Sequence, residues 1–303
     1  MAKIVGIGAC VADTLIKVPS YPAEDTKMRA TSSKIAGGGP VATGLVAVSK
    51  LGGDAAYIGV LSDDNGGHFL KTDFEKYGVA TDLVEVKSGY RSFTSVIWLA
   101  EDSATRTCVF DKGDLPALVL SEEQKKAIRE AEILMVDGNE LDAAVEAAKI
   151  AKEYGTKVLY DCGGLYPNVE RLLALTDIMI PSEEFALGHT GADSAEAAAA
   201  KLWELYHPEI IVITQGKRGG IIYNGEKAEP YPIYPAKVVD SNGSGDVFHG
   251  AFAAAVTFGY GYMKCCHFSG AVSAMKCMGI GARESVPSFG AVKEYLKENG
   301  YEL

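Results

Sequence analysis

The chain has 303 residues, of which 48 % are apolar, and 40 acidic residues outnumber 29 basic ones for a net charge of −11. That length suits one large α/β domain with an appendage or two ordinary domains, with a sizeable core. The acidic balance excludes the basic surface that nucleic acid or an anionic membrane requires. It leaves room for a phosphate-bearing ligand held by local donors.

In chain order, strands are predicted over 3–9, 55–61, 132–138, 157–162, 177–182 and 210–216. Several are almost continuously apolar, as strands covered on both faces must be. Helical patterns lie between them, over 40–51, 66–77, 121–131, 140–154 and 194–206, followed by two Ala- and Gly-rich helices over 246–258 and 262–280. Capping boxes are read at Ser121 with Gln124 and at Asp193 with Glu196. Repeated βα units predict an α/β fold with a doubly wound, mostly parallel sheet and helices on both faces.

Two segments interrupt this rhythm. Residues 13–36 carry two prolines and no helical period, and 88–113 read as a hairpin, FTSVIWLA and RTCVF about a polar turn at EDSAT. Together they predict a small β-sheet lid over a cleft, the core being 1–12, 37–87 and 114–303. A further hairpin is expected after 219, in GGIIYN and KAEPYPIYP.

The six cysteines show neither CxxC spacing nor a His partner pattern, so no zinc site or disulfide framework is expected. The opening MAKIVGIGAC is too short an apolar run for a secretory leader, and no stretch approaches membrane-spanning length. A reducing, cytoplasmic setting is the expectation.

Four stretches carry candidate chemistry. GIGACVAD (6–13) resembles a dinucleotide fingerprint but has Val11 where the third glycine belongs, which disfavours a hydride-transfer enzyme. Its Asp13 is expected to face the cleft. In AGGGPVATGLVAVSKLGG (36–53), Pro40 suits the first helical turn and Gly52-Gly53 a C-cap. Three glycines before Pro40 exceed what a cap needs and would let a ligand touch backbone. In VITQGKRGGIIYNG (212–225), Gly216 and Gly219 fit either turn positions or the floor of a nucleotide site. In VVDSNGSGDVFHGA (238–251), Gly243, Ser244 and Gly245 open a helix whose first turn holds Asp246. The acid answers the helix dipole on one reading. On the other it accepts a proton from a hydroxyl attacking a phosphoryl group held by the glycine-rich amides.

These four pieces in this order resemble the ribokinase-like (PfkB-type) carbohydrate kinases over nearly the whole chain. The most specific element is the signature D240-S241-N242-G243-S244-G245-D246. The resemblance implies an ATP-dependent phosphotransferase acting on a sugar hydroxyl, with Mg2+. Asp246 resembles the general base, and Gly243, Ser244 and Gly245 the anion hole. Asp13, Gly38 and Gly39 resemble sugar ligands, and Thr214, Gly216 and Gly219 nucleotide contacts. Ala271 and the turn from Cys277 to Gly281 are implied near the adenine. Asp240 and Asn242, with the loop 281–287, are implied at a monovalent cation such as K+.

The chain departs from the family at Ser182-Glu183-Glu184-Phe185, where many members have Asn-x-x-Glu, so Glu183 is the substitute expected to act on the metal. Thr43 stands where ribokinase-like members usually carry Asn. GGGPVAT, DVFHGA and YPAEDTK are closest to the ketohexokinase and sulfofructose kinase branch, with Asp25 and Lys27 matching sugar- and sulfonate-binding positions. Asn139 stands at the arginine of sulfofructose kinases, which favours a neutral ketose over a sulfosugar. A ribose or nucleoside kinase and a non-catalytic binding regulator are the alternatives. His249 is expected to pack, and Phe93 and Trp98 to pack lid strands. A homodimer through the lid is the expected assembly.

Overall fold

The computed structural model describes residues 3–103 and 105–303. Part of the turn expected at EDSAT, Ala104, lies outside the described residues, as do Met1 and Ala2. In chain order the first elements are β1 (Ile4–Ile7), β2 (Val11–Val18), β3 (Ser32–Gly38), α1 (Pro40–Lys50), β4 (Ala55–Tyr57), β5 (Gly59–Ser62) and α2 (Asn65–Lys76). The middle of the chain forms β6 (Val84–Lys87), β7 (Thr94–Ala100), β8 (Thr105–Asp111), α3 (Glu122–Glu130), β9 (Ile133–Val136), α4 (Leu141–Tyr154) and β10 (Lys157–Cys162). Then come α5 (Glu170–Leu173), β11 (Ile178–Pro181), α6 (Glu183–Thr190), α7 (Ala195–Tyr206), β12 (Ile210–Thr214), β13 (Gly220–Tyr223) and β14 (Ala228–Tyr231). The chain closes with α8 (Ser244–Thr257), α9 (Tyr262–Cys277) and α10 (Phe289–Glu298).

An eight-stranded sheet runs in the order β14-β13-β12-β11-β10-β9-β1-β4. Strands β4 through β12 in that order are parallel, and the β13–β14 hairpin is antiparallel at the edge. Strands β1, β9 and β11 are buried at every residue, because helices cover both faces. Alternate residues serve opposite cores, Ile4 and Ile133 facing α1, α8 and α9, Val5 and Leu134 facing α4 and α7.

A second, four-stranded sheet runs β3-β2-β7-β8. It starts at Val11, just beyond the carboxyl end of β1, and so stands at the edge where a parallel sheet presents its ligand crevice. Across it, the register aligns Ala36, Asp13, Ser95 and Phe110 in one row. The neighbouring row on the opposite face is Ile35, Thr14, Val96 and Val109.

Several local expectations change. The run 55–61 is two strands, because the Ile58 amide takes the Gly6 carbonyl and the chain then leaves to pair β5 with β6. Helix α9 stops at Cys277, short of 280, and the Cys277 carbonyl accepts the amides of Val239 and Asp240 instead. The capping box at Ser121 and Gln124 is present. The one at Asp193 is not: α7 is capped one residue later, by Ser194 accepting from the Ala197 amide. Helices α6 and α10 were not anticipated; Ser182 and Ser288 cap them.

Helices α1 and α8 cross at two glycines. A methyl on Gly250 would collide with the Gly44 carbonyl, and one on Gly44 would press on Met135 and the Asp246 carbonyl. Gly250→Ala is therefore predicted to cost about 1–3 kcal/mol of stability in urea unfolding. Gly290→Ala, at an exposed helical position in open space, is predicted to be neutral or stabilising by about 0.4–1 kcal/mol.

Candidate active site

Helix α8 opens differently from most of its neighbours. Gly243 is its N-cap at φ 72 and offers no side-chain cap, a left-handed conformation that a residue with a Cβ resists. The Ser244 amide folds back on the Ser241 carbonyl, and Ser273 Oγ donates to the Ser244 carbonyl at 2.9 Å. Among the described residues, the amides of Gly245 and Asp246 have no protein acceptor. The Cα of Gly245 faces open space. Unpaired amides at the positive end of a helix, with no side chain in front of them, are the arrangement that an anion hole requires.

That hole opens on a cavity of about 560 Å³ whose walls include Ser182, Thr214, Gly216, Gly219, Ser244, Gly245 and Cys277. The structure thus brings together three separated motifs of the sequence. Two expected positions differ. Ala271 is fully buried and does not line the cavity, because its helical neighbours Gly270 and Ala274 face it instead. Gly281 is not on the wall; its amide donates to Asp240 Oδ2 at 2.9 Å. A second cavity, of about 740 Å³, lies between the small sheet and residues 238–242, lined by Lys17, Leu99, Arg106, Cys108, Asp240 and Asn242 among others.

Asp246 lies in the first turn of α8. Burial holds its carboxyl above the ordinary range, against the opposing pull of His249. No hydrogen-bond donor among the described residues reaches its carboxylate. His249, one turn on, is buried, with Nδ1 at 2.6 Å from the Gly245 carbonyl and Nε2 at 2.9 Å from that of Ile180. Both ring nitrogens face backbone acceptors, and Asp161 Oδ2 lies 3.3 Å from Nδ1. His249 packs, as expected, and it pins the first turn of α8 to β11.

Asp137, which the sequence reading missed, ends β9 beneath this site. Its Oδ2 accepts the amides of Ala9 (2.9 Å) and Val41 (3.3 Å). Its Oδ1 accepts both the amide and Nδ2 of Asn139, at 3.0 and 3.1 Å. Asn139 is therefore folded onto Asp137. The signal was available, since VDG ends a strand at the same sheet edge as Asp13.

Across the cleft, Asp13 is buried on β2 and accepts from Ser95 Oγ at 2.6 Å. Burial raises its pKa to about 6, opposed by Ser95 and by the charge of Arg283. Gly38 packs so closely on Asp13 that a methyl there would overlap the carboxylate, and Gly39 (φ 94) lies against the Ala9 carbonyl. Arg283 is buried and donates to Asp73 Oδ2 at 2.6 Å and to the Gly38 carbonyl at 2.8 Å, holding this loop from behind. Thr43 is fully buried and its Oγ1 has no partner. Asp25 and Lys27 are exposed on the β2–β3 connection.

Glu183, the expected metal residue, is paired with its neighbours in this structure. Gln215 Nε2 donates to its Oε1 at 2.7 Å and Arg218 pairs with its Oε2. Asp240 and Asn242 are also committed. Asp240 Oδ1 accepts the Asn242 amide at 2.8 Å. Both carbonyls face the ammonium of Lys276, a residue of α9 that the sequence reading missed. Among the described residues, no three His, Cys, Asp or Glu side chains converge on a metal geometry. No helix of the described residues is long and apolar enough to cross a membrane.

Known proteins resemble this chain over nearly its whole length. A family model described as "pfkB family carbohydrate kinase" matches residues 1–288. The chain is 26 % identical over 297 residues to a ribokinase of Haemophilus influenzae, covering 96 % of this chain and 97 % of that one. It is 29 % identical over 292 residues to a 5-dehydro-2-deoxygluconokinase of Clostridium perfringens, covering 88 % and 85 %. The structure of Arabidopsis thaliana ribokinase complexed with ribose and ATP superposes with a TM-score of 0.88 at 26 % identity, covering 98 % of this chain and 99 % of that one. With a ribokinase-like fold and a match over nearly its whole length, the chain belongs to the pfkB family of carbohydrate kinases, phosphotransferases with an alcohol group as acceptor.

Proposed function

We propose that the protein transfers the γ-phosphoryl group of ATP to a primary hydroxyl of a small sugar, read as a neutral ketose of the fructose type. Ribose is the alternative, and the relatives named as ribokinases favour it equally. The observation that carries the reading is one juxtaposition. Gly245, whose amide is free like that of Asp246, lines a cavity between the Thr214–Gly219 turn and α9, and the undonated carboxylate of Asp246 follows it in the first turn of α8.

The nucleotide lies along the cavity walled by Thr214, Gly216, Gly219 and Cys277. Its terminal phosphoryl meets the amides of Gly245 and Asp246, which stabilise charge as it transfers. Asp13 accepts hydrogen bonds from sugar hydroxyls and so places the reacting one near Asp246. Even held above the ordinary range by burial, the Asp246 carboxylate is far too weak a base to ionise an alcohol in advance, so it takes the proton as the P–O bond forms. The small sheet covers the sugar and excludes water, which suppresses ATP hydrolysis. Mg2+ bound with the triphosphate would neutralise its charge; Glu183, paired with Arg218, would supply no direct ligand to it.

The outer face of the small sheet exposes Ile35 (61 %), Val96 (39 %), Trp98 (36 %) and Val109 (66 %) on adjacent strands. A homodimer that packs these faces together is part of the proposal. A reducing, cytoplasmic setting fits the six free thiols.

Three outcomes are expected. With D-ribose or D-fructose as acceptor, Asp246→Asn lowers kcat by about 10³-fold or more while ATP affinity in calorimetry changes little; normal turnover would remove Asp246 as base. Asp13 binds sugar as the carboxylate, so sugar KM is flat above about pH 7 and climbs as pH falls through about 6. The rise of that pKa from 3.8 to about 6 means the wild-type acid's stability contribution is present below pH 4 and lost by pH 7. Asp13→Asn is thus predicted to raise sugar KM sharply yet stabilise the fold at pH 8 by up to about 3 kcal/mol. A variant with unchanged KM contradicts the assignment. Finally, sedimentation should show a dimer that Trp98→Glu splits into monomers; a monomeric parent protein would dismiss the lid-to-lid assembly.

A further inference from the structure

The turn that builds the anion hole has a second side. While Ser244 and Gly245 line the cavity, the preceding carbonyls of Asp240 and Asn242 point back into the protein. Carbonyl dipoles gathered on one spot need a positive charge. Lys276 supplies it. Its side chain is fully buried near the end of α9. Its Nζ donates to the Asp240 carbonyl at 2.8 Å and to the Asn242 carbonyl, and lies 4.0 Å from Asp240 Oδ2.

These are the groups at which the family resemblance places a monovalent cation, and the donor set does not fit one. Both carbonyls already serve an ammonium. The two carboxylate oxygens of Asp240 are held by the amides of Asn242 and Gly281. A metal ion seated there would have to lie against a like charge in a buried setting, which is strongly unfavourable. A lysine ammonium and a hydrated K+ carry the same charge, and the lysine is tethered, so no ion need be drawn from solution.

We infer that Lys276 is the resident cation of this kinase, replacing a dissociable monovalent ion behind the anion hole, and that the protein needs neither K+ nor NH4+ to hold the Asp240–Gly243 turn in its binding conformation. Lys276 is a positioning residue. It acts through the turn and touches no reacting atom. The inference goes beyond the proposed reaction, and it rests on that reading only where nucleotide binding is the readout.

The test compares K+ with choline, each at about 0.1 M so that general screening is equal. For the wild-type protein, thermal unfolding and the affinity for a non-hydrolysable ATP analogue are expected to agree in the two salts within about twofold. Lys276→Met removes the ammonium and leaves a chain of similar length. In choline it is expected to bind the analogue at least about tenfold more weakly and to melt at lower temperature, with K+ restoring both. Wild-type protein that melts higher or binds the analogue about tenfold tighter in K+ than in choline would overturn the inference. So would a Lys276→Met protein that melts and binds like wild type in choline. The wild-type melting comparison needs no folded variant, sugar or nucleotide, so it stands even if the proposed substrate reading fails.

Discussion

Everything at the site depends on the direction of the peptide groups between Asp240 and Asp246. That turn cannot face its amides to a phosphoryl group without turning carbonyls the other way, and both directions have to be stabilised. On the cavity side Gly243 supplies the left-handed conformation and Gly245 leaves the approach open. On the protein side Lys276, the Gly281 amide and the Cys277 carbonyl fix residues 239–242 to the end of α9. Helix α8 is in turn seated against α1 through Gly44 and Gly250, and by His249 against β11. The anion hole is therefore a product of helix packing as much as of a local motif.

Four acids surround the cleft, and burial raises the pKa of each. They differ in what offsets that cost. Asp137 receives three backbone amides and the Asn139 side chain, so it serves as a structural anchor joining β1, α1 and β9. Asp161 has His249. Asp13 has Ser95 and keeps its other oxygen available next to Gly38, which suits a ligand for hydroxyls. Asp161 Oδ2 accepts no hydrogen bond but lies 3.3 Å from His249 Nδ1; Asp246 has neither a donor nor so near a partner among the described residues, leaving its oxygens free to accept a proton. The division of labour among chemically identical side chains follows from their partners.

Much of this was legible in the sequence where the signal was local. Continuous apolar runs flanked by turns gave the parallel strands. The glycine-serine run before Asp246 and the stretch GIGACVAD leading to Asp13 marked the two sides of the cleft. What was not legible depends on contacts distant along the chain. Lys276 reads as an ordinary helix lysine, like Lys264 in the same helix, until β14's following loop brings Asp240 over it. Arg283 reads as a loop charge, yet it is buried between Asp73 and Gly38. Ala271 and Gly270 differ by one helical step, which pattern alone does not resolve against a cavity. Glu183 stood in a sequence position near the expected metal motif, but Arg218, from a different turn, captures it. The Asp193 capping box failed because an adjacent serine is an equally good cap.

The most direct test of the account is phosphorus NMR of a reaction mixture containing the protein, Mg2+, ATP and one sugar at a time from ribose, fructose and a sulfosugar. The account predicts that ADP grows only when an acceptor sugar is present, matched one for one by a new phosphate monoester resonance. ADP growth accompanied by inorganic phosphate, at a rate indifferent to the sugar, would contradict it.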